Sequence, residues 1–131
     1  MNRFAVVVDG WNDLPIGQLM NSVAIVVGGL GSDGFDQKIN GADGNFHSAI
    51  KFNMPILKAK KKTDFDKVIN NAKQENLEFV VFCKEAQLMS NSFEEYKIKV
   101  QTDSFLSIIS IAIYGEDERV RRSVKFLSAF A

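Results

Sequence analysis

Phe4-Ala5-Val6-Val7-Val8 is apolar at every position, which suits a strand covered on both faces rather than one. Such a strand needs apolar layers above and below it, and the rest of the chain supplies helical segments in alternation with further strands. After the turn residues Asp9-Gly10-Trp11-Asn12, Asp13 is placed to cap a helix beginning near Leu14, with Pro15 in the first turn where a missing N–H costs nothing. Its predicted inner stripe is Ile16, Leu19, Met20, Val23, Val27 and Leu30, at three- and four-residue spacing. Gly28, Gly29 and Gly31 mark its end. Ser32 to Phe46 reads as a polar loop.

Ala49 to Leu57 is a second predicted strand, with Pro55 suggesting an edge or bulge. Thr63 and Asp66 have the spacing of a capping box, ahead of a helix with Phe65, Val68, Ile69 and Ala72 inside and Asn76 at its end. Leu77 to Cys83 is the third strand. Ser92 and Glu95 repeat the capping spacing and open a helix through about Val100. Phe105 to Tyr114 is the fourth strand, and Gly115 turns the chain. The last helix sets Val120, Val124 and Leu127 inside and Arg119, Arg121, Arg122 and Lys125 outside. This alternation predicts a three-layer α/β/α sandwich formed by residues 1–131 as a single domain.

Length and composition agree with that class. A chain of 131 residues, 46% apolar, with 11 Phe and 2 Pro, can bury roughly two-thirds of its unfolded surface around one core. Sixteen basic residues balance sixteen acidic ones, so there is no global field to attract nucleic acid or anionic lipid. The apolar run near the N-terminus is too short for a signal peptide or membrane span, which predicts a cytoplasmic protein. The lone Cys83 excludes an internal disulfide and a multi-thiolate zinc site, and no metal or cofactor is expected.

Several residues could carry chemistry. Gly29-Leu30-Gly31-Ser32-Asp33-Gly34 spells G-x-G-x-x-G, but it follows a helix instead of opening one, so it lacks the stacked N–H groups that hold a pyrophosphate. His47 is the only histidine, and it stands before a predicted strand where an acid or base is useful. Cys83 ends an apolar strand, where a thiol is usually inert. Asp9, Asn12 and Asp13 follow the first strand, at the carboxyl end of which α/β sheets bind ligands. Lys58, Lys60, Lys61 and Lys62 form a basic run without interleaved aromatics, which reads as a solvated face.

Val6-Val7-Val8-Asp9, then Asp13-Leu14-Pro15-Ile16-Gly17 and a helix bearing Asn21, resemble the domain-of-unknown-function two-thousand family. Asp43-Gly44-Asn45-Phe46-His47, Pro55-Ile56-Leu57, and Ala112-Ile113-Tyr114-Gly115 with Val124 continue the resemblance in order over nearly the whole chain. That family is similar in fold to the type II peptidyl-tRNA hydrolases, which implies a mixed four-stranded sheet flanked by helices and a possible homodimer. The hydrolase motif is met by Asp13-Leu14 and Gly17, whereas Gln18, Ser22 and Ile25 stand where its lysine, glutamine and histidine belong. The cation and the acid/base group are therefore missing.

The leading expectation is a small-molecule- or partner-binding domain, with Asp9, Asp13, Asn21, Asp43 and His47 converging at one pocket. The competing expectation is a hydrolase for an ester or peptidyl-tRNA-like substrate, with His47 as base and a carboxylate orienting it. A third is a purely structural dimer subunit.

Overall fold

The computed structural model describes residues 1–31, 33–87 and 92–130. The chain forms β1 (Asn2–Asp9), α1 (Ile16–Gly29), β2 (Ile39–Asn40), β3 (Phe46–His47), β4 (Ile56–Ala59) and α2 (Lys62–Gln74). It continues through β5 (Glu78–Cys83), α3 (Lys84–Gln87), α4 (Phe93–Thr102), β6 (Ile108–Glu116), α5 (Asp117–Val124) and β7 (Ser128–Ala129). The main sheet is mixed and has five strands in the order β5-β6-β1-β4-β7. β1 is the middle strand, parallel to β4 and antiparallel to β6. β2 and β3 form a separate hairpin.

Alternation along β1 divides the core. Ala5 and Val7 face α2 and α5 in a cluster with Phe65, Val68, Ile111, Ile113 and Val120. Val6 and Val8 face α1 with Leu19, Val26, Ile109 and Ala112. Val6, Val7 and Val8 are essentially inaccessible to solvent, and each buried valine is worth about 1.5–3 kcal/mol. The fully apolar run is thus explained by helices on both faces, the predicted three layers.

α1 turns inward most of the stripe its spacing suggested, Leu19 lying in the core and Val23, Val27 and Leu30 packing against it, but not the amino-terminal part. Leu19, Ser22 and Val26 are buried, whereas Ile16 and Met20 are 59% and 65% exposed. The helix has no charged residue, so no charge marks Ile16 and Met20 as lying on its outer side. Its start also differs: Asp13 lies outside the helix at φ 52° and Pro15 is the N-cap, its carbonyl accepting from the N–H groups of Gln18 and Leu19.

Four other expectations are corrected. A fifth strand exists because the helix at the C-terminus stops at Val124 and the tail pairs with β4, Phe130 donating its N–H to the Ile56 carbonyl at 2.9 Å. β4 begins at Ile56 rather than Ala49, because Ala49–Lys51 pairs with the loop at Gly34–Asp36 instead. β6 begins at Ile108 rather than Phe105, since Asp103 Oδ1 accepts the Phe105 N–H and Glu85 accepts the Ser107 N–H, holding that stretch as a turn. The segment read as a polar loop contains the β2–β3 hairpin; Ser32 lies outside the described residues.

The caps divide. Ser92 Oγ accepts the Glu95 N–H at 3.3 Å, as its spacing predicted. Thr63 does not cap α2, which starts one residue earlier; Asp64 Oδ2 accepts the Lys60 N–H instead. Asn76 stands past the end of α2 at φ 56°, the left-handed position that asparagine tolerates. Among the described residues, no helix is long and apolar enough to cross a membrane.

Candidate ligand-binding site

β1, β4 and β5 all end at one side of the sheet, where antiparallel β6 begins. The chain leaving β1 goes to one face as α1, and the chain leaving β4 goes to the other as α2. Divergent connections of this kind leave a crevice outside the carboxyl ends of the strands. A cavity of about 650 Å³ lies there, inside the size range of small-molecule sites.

Asp9, the last residue of β1, forms its floor. It is 2% exposed, and its charge is met locally. Oδ1 accepts the N–H groups of Trp11 and Asn12, each at 2.9 Å, and Oδ2 accepts from Asn12 Nδ2 at 2.6 Å. The aspartate thus folds the loop after β1 into a turn over its own carboxylate. Gly10 makes this possible: its N–H bonds to the Ala59 carbonyl, and a Cβ there would overlap the Lys58 side chain.

Aromatic and cationic groups stand among serine and aliphatic side chains on the rest of the wall. Trp11 from the β1–α1 loop packs edge to face on Phe65 of α2, with ring centroids 5.3 Å apart. Phe105, 91% exposed, comes from the turn before β6. Lys62 opens α2 and Lys84 follows β5; both line the cavity, and neither joins an ion pair among the described residues. Asp66 is the one carboxylate on the wall besides the hydrogen-bonded Asp9. The two lysines formally balance Asp9 and Asp66, and the amino end of α2 adds to them the partial positive charge of its first N–H groups.

The five expected site residues occupy separate places. Asp9 lines this cavity, and Asp13 is exposed in the loop leading away from it. Asn21 lines a second groove of about 310 Å³ between α1, the end of β5 and α4, with Ile25, Phe82, Gln87, Phe93 and Tyr96. Asp43 and His47 meet on the β2–β3 hairpin, Nε2 lying 3.0 Å from Oδ2, with both side chains about half exposed. The Asn45 main chain and then His47 hold the Asp43 carboxyl below its usual range. The pair lines neither cavity. The wall residues the sequence reading did not assign to the site include Trp11, Lys62, Phe65, Lys84 and Phe105. A signal existed for two of them: Trp11 is the single tryptophan and sits beside Asp9, and Lys84 directly follows a predicted strand, as Asp9 ends one.

Cys83 is buried, and burial pushes its thiol up from its usual value, which disfavours the nucleophilic thiolate. Among the described residues, no group of three or more His, Cys, Asp or Glu side chains is arranged to hold a metal ion.

The fold has a solved counterpart. A protein of unknown function, Atu0240 from Agrobacterium tumefaciens strain C58, superposes with a TM-score of 0.80 at 12% identity, covering 99% of this chain and 98% of that one. At that identity the likeness concerns the fold alone. No curated protein matches the sequence. The family model described as protein of unknown function, DUF2000, matches residues 2–130, and the chain therefore belongs to the DUF2000 family.

Proposed function

We propose that the chain is a ligand-binding domain whose site is the cavity at the carboxyl ends of β1, β4 and β5, and that it takes a small anion with a flat apolar body. The observation that carries this reading is the placement of Lys62 and Lys84, from different elements and without described carboxylate partners, on the wall that also presents Trp11, Phe65 and Phe105. Two ammonium groups recognise a carboxylate or phosphate as point charges. Aromatic faces and edges accept a planar body at low entropic cost. The hydrogen bonds to Asp9 turn its two oxygens toward donors of its own loop.

The hydrolase reading rests on the Asp43–His47 pair, which has the orientation of a base held by a carboxylate. The pair stands on an exposed hairpin with no adjoining cavity among those described, so binding is the better supported reading.

The test is thermal unfolding of the purified protein with benzoate, phenyl phosphate or benzyl alcohol. A ligand of the native state raises the midpoint by mass action. At least one of the two anions is expected to raise it while the neutral alcohol leaves it unchanged; no shift with either anion, or an equal shift with the alcohol, counts against the reading.

A further inference from the structure

The side of α2 that meets the cavity carries opposite charges around an aromatic ring. Lys62, Phe65 and Asp66 all line the wall. Their spacing of three and four residues sets them on one face of the helix, with Cβ atoms of neighbours roughly 5–6 Å apart. Phe65 is buried, while Lys62 and Asp66 are exposed. Lysine and aspartate at this spacing can close on each other, and Lys99 and Asp103, the same residue types in the same order, do so at 2.8 Å. Lys62 and Asp66 do not, and neither joins any other ion pair among the described residues. An ammonium and a carboxylate therefore stand one helical turn apart on the same wall without neutralising each other.

Asp9, the other carboxylate of the cavity, is placed differently. It is buried, and its oxygens accept from Trp11 and Asn12 of its own loop, so the carboxylate presented to a ligand is Asp66. A ligand whose only charge is negative is attracted by Lys62 and Lys84 and repelled by Asp66. A positive group beside the anion turns that repulsion into a second attraction. The wall also limits where the positive group sits. Lys62 opens α2 and Asp66 follows one turn later, so the two charges of the ligand must be close neighbours. Phe65 lies between them in sequence with Trp11 packed on it, which puts the flat body beside both charges.

We propose that the ligand is a zwitterion of the aromatic α-amino acid type, its carboxylate on Lys62 and Lys84 and its ammonium on Asp66. One carbon separates the two charged groups of such a molecule, which suits receptor groups one helical turn apart. An aromatic acid or an aromatic amine satisfies only half of the pattern. This inference rests on the anion-binding reading of the same cavity and adds the cationic group and its spacing.

Three related compounds test it: phenylalanine, hydrocinnamate, which lacks the ammonium, and phenethylamine, which lacks the carboxylate. Phenyl phosphate is the reference anion. Each is titrated into the wild type and into Asp66→Asn while Trp11 fluorescence is followed, and circular dichroism checks the fold of the variant. The wild type is expected to bind phenylalanine about tenfold or more tighter than hydrocinnamate or phenethylamine, as one added charge-assisted hydrogen bond allows. Asp66→Asn is expected to remove the advantage over hydrocinnamate without weakening hydrocinnamate itself. If hydrocinnamate or phenyl phosphate binds and phenylalanine binds no tighter than hydrocinnamate, the zwitterion is overturned and the anion reading stands. If none of the compounds bearing a negative charge binds, both fall together. A preference for phenylalanine that survives intact in Asp66→Asn also overturns the proposal, since the ammonium is then held elsewhere.

Discussion

Trp11 and Phe65 meet edge to face with ring centroids 5.3 Å apart, which joins the loop leaving β1 to the first turns of α2 across the floor of the cavity. Phe65 is 1% exposed and so serves the core and the site together. Phe65→Ala is expected to cost about 3–5 kcal/mol, the range for removing a buried phenyl ring. The lone tryptophan reports the local loss: its emission shifts to the red in the native variant as water reaches the indole. Urea titration followed by circular dichroism and by Trp11 fluorescence measures both.

Gly34 packs against the ring of Phe4, and a Cβ there would overlap it. Phe4 is buried at 1% exposure among Phe35 and Tyr114, so the ring has little room to move. Gly34→Ala should cost about 1–3 kcal/mol through overpacking. In a Phe4→Leu background the same substitution should cost less, because the smaller side chain clears the space. A double-mutant cycle of urea midpoints reads the coupling.

Asp117 ties the two ends of the fold together. Its Oδ1 accepts from Arg3 Nε at 2.7 Å and its Oδ2 from Arg121 Nε at 2.9 Å. Arg3 first, and then Arg121, hold its carboxyl below the usual carboxylate range. A carboxyl whose folded pKa is depressed contributes stability that is complete above the unfolded value and is lost as pH falls through the folded one. Stability should therefore decline as pH drops below the ordinary aspartate range, and Asp117→Asn should show a shallower decline there, with a lower midpoint at pH 7. Urea midpoints over an acid series check the slope.

What the sequence disclosed follows from how local each signal is. β1 was readable because burial on both faces leaves a continuous apolar run, and α5 because Arg119, Arg121 and Arg122 mark its wet side. α1 was readable as a helix, with Leu19, Val23, Val27 and Leu30 on its inner side, but the exposure of Ile16 and Met20 was not, since no charge marks that end's outer face. β7 is two residues paired to a strand far back in the chain, and no local pattern announces that. For the site, the strand-end rule found Asp9. It did not find Lys62, Lys84 and Phe105 as neighbours, because only tertiary structure brings the starts of α2, α3 and β6 together. Residues 39–47 fold back on themselves as the β2–β3 hairpin, which is why Asp43 and His47 pair with each other and line neither cavity.

The central claim is that Lys62 and Lys84 hold an anion beside Trp11. It is tested most directly by titrating phenyl phosphate into the wild type and into the Lys62→Ala/Lys84→Ala variant while following Trp11 fluorescence. A charge-assisted hydrogen bond is worth about 1.5–3 kcal/mol, so losing even one weakens binding roughly tenfold or more. The account predicts a saturable change in the wild type that moves to at least tenfold higher concentration in the variant. A wild-type signal that never saturates, or the same binding curve in both proteins, would contradict it.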